Sequence, residues 1–211
     1  DYVHTLKNSV IVAFTATGST LLLASLGAYA LARFRWPGKT AVILGLGATR
    51  MIPGIGLLIP LYILISKLHQ LDTYQALVYI EGGSMLPFTM FILYGVFQAI
   101  PKEIEESAVI DGASKLQVIY KIILPLSIHE YMPAGTFAFL GSWNSFMTPL
   151  IFSSTRAKTF PLKVAELVTL QDINYTQLAS TGVFASIIPV ILALMFQRYI
   201  VRGLTEGAVK G

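Results

Sequence analysis

No cysteine occurs in this 211-residue chain, which excludes disulfides and thiolate metal sites. Charge is scarce as well. Asp, Glu, Lys and Arg make up 12% of the residues, against about a quarter in a soluble domain. Hydrophobic residues reach 55%, so the composition is that of a membrane protein. The net charge of +4 is spread between apolar runs rather than clustered, which leaves no nucleic-acid patch. Enzyme signatures are missing: there is no H-E-x-x-H, no G-x-S-x-G and no constellation of carboxylates. Pro37-Gly38-Lys39-Thr40 carries the end of a phosphate loop, but Arg33 stands where the pattern needs its first glycine. A strand should precede that loop, and here an apolar run does, so the tetrapeptide reads as a turn. The first eight residues are polar and lack the charged start, apolar core and small-residue cleavage site of a signal peptide.

What the chain does have is five apolar runs: Ser9–Arg33, Thr40–Ser66, Thr73–Ile100, Ile128–Phe152 and Leu178–Tyr199. The first reaches about 37 Å as a helix, enough for a bilayer core of about 30 Å. Ala24, Ala28 and Ala32 recur every four residues in it, a ridge that permits close helix packing. Pro53, Gly54, Gly56 and Pro60 interrupt the second run. Broken helices are tolerated in lipid where the freed backbone meets protein or a watery cavity, so this break marks either a substrate path or a packing site. The expected fold is all-α and polytopic, with 153–177 as a polar loop before the last span.

The stretch 101–127 is polar between two apolar runs, yet patterned. Pro101 suits the first position of a helix. Glu103, Glu105 and Glu106 fall in its first turns, where the helix dipole favours negative charge. Gly112, after Asp111, supplies a left-handed end. Ser114 and Gln117 form an S-x-x-Q capping box that starts a second helix, and Pro125 disturbs that helix before the next span. The spacing predicts a helix, a tight glycine turn and a helix.

Glu106-Ser107-Ala108, Gly112, Ile122, Leu124 and Pro125 follow the pattern E-A-A-x3-G-x9-I-x-L-P, with Ser107 in place of the first alanine. This resembles the EAA loop of the inner-membrane permeases of binding-protein-dependent ABC importers. Asp111-Gly112-Ala113 and Pro101-Lys102 resemble the carbohydrate, maltose-type branch. The resemblance implies one permease domain over 1–211 with 101–127 as a cytoplasmic loop. Glu103, Ile104, Glu106, Ser107, Ala108, Asp111, Gly112 and Ala113 would couple it to an ATPase subunit. Ile104 and Ala108 would anchor the loop in a groove there. It further implies a second permease, two ATPase subunits that bind ATP and magnesium, an external solute-binding protein and a sugar substrate. No cofactor is expected in this chain. Arg156, Lys158 and Phe160 in the loop 153–177 would meet the binding protein. The tail 203–211 resembles the maltose-type ending that reaches between the ATPases. The family has six spans, so a further helix is expected before Ser9.

With five alternating spans, nine basic residues, including Arg33, Lys102 and Lys121, fall on one side and five on the other. The positive-inside rule puts 101–127 and the C-terminus in the cytoplasm, and the resemblance implies a bacterial or archaeal cell membrane. Arg50 and Glu81 fall near mid-membrane, where a lone charge costs at least about 2.5 kcal/mol. They are expected on the substrate path, facing the interior or a watery cavity and paired with each other or with the partner permease, unless Arg50 snorkels to the surface. Trp143-Asn144 resembles a maltose-type pair on the substrate path, although Ser145 stands where an acidic residue often follows. The alternative is a secondary transporter or channel that uses Glu81 as its intramembrane acid.

Overall fold

A computed structural model describes residues 2–168 and 175–208, with side chains described as far as Gln197. Every element among the described residues is helical. They are α1 (Tyr2–Arg33), α2 (Lys39–Ala48), α3 (Gly54–Lys67), α4 (Tyr74–Ala99), α5 (Lys102–Ile110), α6 (Lys115–Val118), α7 (Leu124–Leu126), α8 (Ile128–Trp143), α9 (Met147–Phe152), α10 (Phe160–Ala165) and α11 (Tyr175–Ala208).

The bundle is organised on α1. This helix packs chiefly against α4 and also against α8, and α11 packs on α8, sharing with α1 the cluster around Phe139 and Trp143. The buried seam of α1 repeats every four residues through Asn8, Val12, Ala16, Thr20, Ala24, Ala28 and Ala32. Small side chains there let the helices approach closely, which is how helices associate where lipid supplies no hydrophobic drive. The alanine ridge read from the sequence thus lies inside, against Leu93 and Phe97 of α4. Gly82 belongs to the same contact. The Thr20 hydroxyl donates to its carbonyl at 3.1 Å, and a Cβ on Gly82 would lie 3.1 Å from that hydroxyl oxygen. Tyr131 of α8 donates to the Ser25 hydroxyl at 2.7 Å. Each such interhelical bond adds about 0.6 kcal/mol.

The spans differ from the expected five in two places. Three helices, Tyr2–Arg33, Tyr74–Ala99 and Tyr175–Gln197, are long and apolar enough to cross a membrane alone. The run 40–66 is a bent pair, Lys39–Met51 and Gly54–Lys67, at 97°. Pro53 explains the break, because it pushes Ile52 out of helical geometry, to φ −79° and ψ 122°. The run 128–152 is likewise two pieces. The α8 helix has 16 residues, about 24 Å, and ends at Asn144 before α9 begins. The last run stays helical in its backbone to Ala208, into the expected tail. Its side chains and residues 209–211 lie outside the described residues.

Candidate functional sites at the two ends of α1

The chain has two built polar segments, one at each end of α1. At the Arg33 end sits the predicted hairpin. Pro101 precedes α5 with φ −58°, and Glu103 and Glu105 occupy the first turn. The turn closes as a Schellman motif. The N–H of Gly112 donates to the Val109 carbonyl at 3.0 Å, and that of Ala113 to the Ala108 carbonyl at 2.9 Å. Gly112 takes φ +88°, a conformation costly for any residue with a Cβ. The capping box then forms in full: Ser114 N–H donates to Gln117 Oε1 at 2.8 Å, and Gln117 N–H donates to Ser114 Oγ at 3.3 Å. Four residues, 111–114, therefore reverse the chain with their local geometry fixed on both sides. Beyond α6 the helix widens to a π turn over Ile119–Ile123. Pro125 cannot donate to the carbonyl four residues back, and the wider turn relieves the clash of its ring.

Three buried residues seat the hairpin on the bundle: Ala108, Val118 and Ile123, packed in the cluster of Ala28, Leu93, Phe97 and Tyr131. This corrects the expectation that Ala108 anchors the loop in a partner's groove. Ala108 is only 9% exposed because that face of α5 looks into the chain's own core. The outward apolar residues are Ile104, Val109, Ile110 and Leu116, with Ile110 85% exposed at the tip. Glu103, Glu106, Ser107, Asp111 and Gly112 are exposed around it, and Ala113 is half-buried. Glu105 turns inward instead, toward Arg33 and Tyr29. Nothing in the sequence separates it from Glu103 and Glu106 except its register on α5.

At the opposite end, the segment 153–160 is wound around two side chains from other elements. The Asp72 carboxylate accepts the N–H groups of Ser154 (3.0 Å), Thr155 (3.1 Å), Arg156 (3.0 Å) and Ala157 (3.0 Å). It also accepts the hydroxyls of Ser154 and Thr155, each at 3.0 Å. Burial pushes this carboxyl up, but the backbone N–H donors of Arg156, Ala157 and Ser154 and the Thr155 hydroxyl outweigh it. The net effect holds Asp72 far below the usual carboxylate range. Asn8 of α1 donates to the carbonyls of Arg156 (2.9 Å) and Lys158 (2.8 Å), and Tyr74 donates to Asn8 Oδ1 at 2.8 Å. Phe160 N–H donates to the Ser9 hydroxyl at 2.7 Å.

Of the three residues expected to meet a binding protein, Arg156 is exposed and Lys158 half-buried. Lys158 is paired with Glu166, whose carboxyl is held low first by that hydrogen bond. Phe160 is corrected: it is 3% exposed, because it begins α10 and packs inward. It cannot be a contact residue in this conformation. Residues 169–174 of the expected loop lie outside the described residues.

The expected substrate-path residues do not converge. Glu81 is 5% exposed on α4. The Ser145 and Thr148 side chains, in and after the α8–α9 break, lie beside its carboxyl, while Oε1 has no partner. Arg50 stands exposed in the bend between α2 and α3. Its guanidinium lies 4.9 Å from the centroid of the Phe88 ring, with Nη2 3.7 Å from the Met85 sulfur. No ion pair joins Arg50 and Glu81; the three among the described residues lie elsewhere. Trp143 is buried, stacked on Phe139 at 5.7 Å, and donates Nε1 to the Ala185 carbonyl of α11 at 3.1 Å. It serves first to hold α8 to α11. Asn144 is exposed at the end of α8, beside a shallow cleft of about 390 Å³ lined by Pro161, Val164, Ser186 and Pro189.

An apolar all-helical bundle, with a preformed hairpin at one end and a pinned loop at the other, defines a polytopic integral-membrane protein. The chain belongs to the family described as "Binding-protein-dependent transport system inner membrane component", whose model matches residues 22–206. It is 38% identical over 208 residues to the trehalose/maltose transport system permease protein MalG of Thermococcus litoralis, covering 98% of this chain and 75% of that protein. It is 33% identical over 209 residues to the trehalose transport system permease protein SugB of Mycobacterium tuberculosis, covering 98% and 76%. In fold it is similar to a chain of a bacterial ABC transporter that imports the acidic polysaccharide alginate. The TM-score is 0.79 at 19% identity, over 94% of this chain and 75% of that one.

Proposed function

We propose that this chain is the permease subunit of an ATP-binding-cassette importer and forms half of the path for a sugar. It would work beside a second permease, two ATP-hydrolysing subunits and an extracytoplasmic solute-binding protein. The observation that carries this reading is the hairpin 101–127. Its turn is fixed by Gly112 and the Ser114–Gln117 box, and its tip presents Ile110 and Val109 to a partner. An amphipathic helix with apolar anchors on one side suits a groove, and a rigid turn delivers a push without absorbing it. The family match supports the transport assignment, and the names of the sugar-permease relatives support the substrate class.

In this reading the hairpin lies in the cytoplasm, where the excess of basic residues also falls, and the loop 153–177 faces the binding protein. ATP and magnesium are held by the ATPase subunits. Arg156 is the exposed candidate of that loop, and Asn144 and Glu81 are the candidates for the path.

The test is reconstitution of the full complex in vesicles. Uptake of labelled trehalose or maltose that needs ATP and binding protein, and that vanadate stops, is the expected result. Uptake without ATP that a protonophore abolishes would instead establish a secondary transporter working through Glu81.

A further inference from the structure

The α5 helix is weakly held by packing. It has nine residues and Ala108 is its one buried side chain. A helix so placed would rock on the bundle unless something else fixed it. Glu105 supplies that fixation, and both of its carboxylate oxygens are used. Arg33 Nε donates to Oε1, and the Tyr29 hydroxyl donates to Oε2 at 2.8 Å. The same guanidinium donates through Nη2 to the Ile100 carbonyl at 3.0 Å, at the C-terminal end of α4. One arginine thus ties the end of α1, the end of α4 and the first turn of α5. The pair is largely dry, with Arg33 8% and Glu105 12% exposed at the side chain. Tyr29 is braced in turn by an edge-on contact with Phe97 at 6.1 Å, and Phe97 meets Tyr131 of α8 at 6.4 Å.

A buried ion pair is a poor device for stability alone, since an apolar trio of the same volume would hold these helices as well. What it provides is geometry: a planar fork that accepts one arrangement of its partners. We propose that Arg33, Glu105 and Tyr29 form a latch that makes α5 rigid with α1. A push on the hairpin then displaces α1 instead of tilting α5. These are positioning residues: they touch neither nucleotide nor sugar. The inference rests on the importer reading for its consequence, but the rigidity itself does not.

The experiment has two arms that separate the two. In the first, spin labels go at Leu26→Cys on α1 and Ile110→Cys on α5, both exposed, of this cysteine-free chain, purified with a second permease whose own cysteines have been replaced. The native chain is expected to give one narrow distance distribution. Glu105→Gln, nearly isosteric, and Arg33→Met are each expected to broaden it. Arg33→Lys, which keeps the charge but loses the fork, should fall between.

In the second arm, the reconstituted complex carrying Glu105→Gln is expected to keep its ATPase subunits and hydrolyse ATP while uptake falls about tenfold. That equals about 1.4 kcal/mol of lost coupling. The exchanged pair Arg33→Glu/Glu105→Arg is expected to recover part of that loss. Distance distributions unchanged in Glu105→Gln and Arg33→Met would overturn the latch whatever the complex transports. Full uptake in Glu105→Gln with a broadened distribution would overturn its role in coupling. A native complex that takes up nothing with ATP would count against the importer reading, leaving the label distances to judge the latch.

Discussion

Asp72 gives the sharpest test of how the loop 153–160 is held. It sits at φ +58°, a left-handed conformation that asparagine also adopts readily, so Asp72→Asn leaves the backbone unstrained. The carboxylate has two oxygens for the four N–H groups and two hydroxyls gathered on it. The amide keeps one acceptor and turns an NH2 group toward donors. About half of the bonds are lost. The site is open to water, so each is worth the low end of the net range, about 0.5 kcal/mol. With the donor–donor conflict added, the loop loses about 2 kcal/mol of local order, or about a 30-fold rise in its open population.

The N–H groups of Thr155, Arg156 and Ala157 bond to Asp72, so amide hydrogen exchange at these positions reads the effect directly. Exchange about 10- to 30-fold faster in Asp72→Asn is expected, together with a higher half-saturating concentration of binding protein and an unchanged maximal uptake. The pH dependence follows from the depressed folded-state value. The stabilisation is present above the unfolded value of about 3.9 and is lost only as pH falls through the lower folded one. Protection should therefore be flat from pH 8 to 5. Native exchange rates in Asp72→Asn, or protection lost between pH 7 and 5, would refute the reasoning.

Gly112→Val places a β-branched residue at φ +88° and is expected to abolish uptake or release the ATPase while the spans stay inserted; native uptake with native ATPase stimulation would count against it. Ala108→Leu overpacks the seat of the hairpin at a cost of about 1–3 kcal/mol. It should lower the thermal midpoint of the permease pair without any ATPase present, whereas Ile110→Ala should spare that midpoint and weaken ATPase retention in a pull-down. Glu81→Gln keeps a polar group of the same size beside Ser145 and Thr148 and should sustain ATP-driven uptake. Glu81→Leu removes that polar group from the α4–α9 contact and should reduce the yield of assembled complex. Loss of uptake in Glu81→Gln despite full ATPase activity would point to ion coupling.

The sequence carried the features whose causes are local. The capping box, the glycine turn and the alanine ridge each depend on residues within a few positions of one another, and each was legible. The choice of Glu105 over Glu103 and Glu106 was not, because it depends on which face of α5 meets Arg33, 72 residues away. Asp72 carries no local signal of its role, since its partners lie 82 to 85 positions further on. The resemblance alone put Phe160 among the outer contacts, yet Ser9 and Asn8 of α1 draw that segment onto the bundle. The run 40–66 looked like one kinked span. Periodicity does not report a bend of 97°, although the Pro53 that causes it was in plain view.

In the proposed function the tip of the hairpin is where the ATPase subunit docks. Ile110→Cys, in a chain with no other cysteine, can carry a short photo-activated cross-linker in the assembled complex. The expected result is a cross-link to the ATPase subunit that depends on the probe being at 110 and is absent when the same probe is placed at Arg156 in the opposite loop. Cross-linking from 110 to the binding protein or to lipid alone, with the ATPase captured from Arg156→Cys, would contradict it.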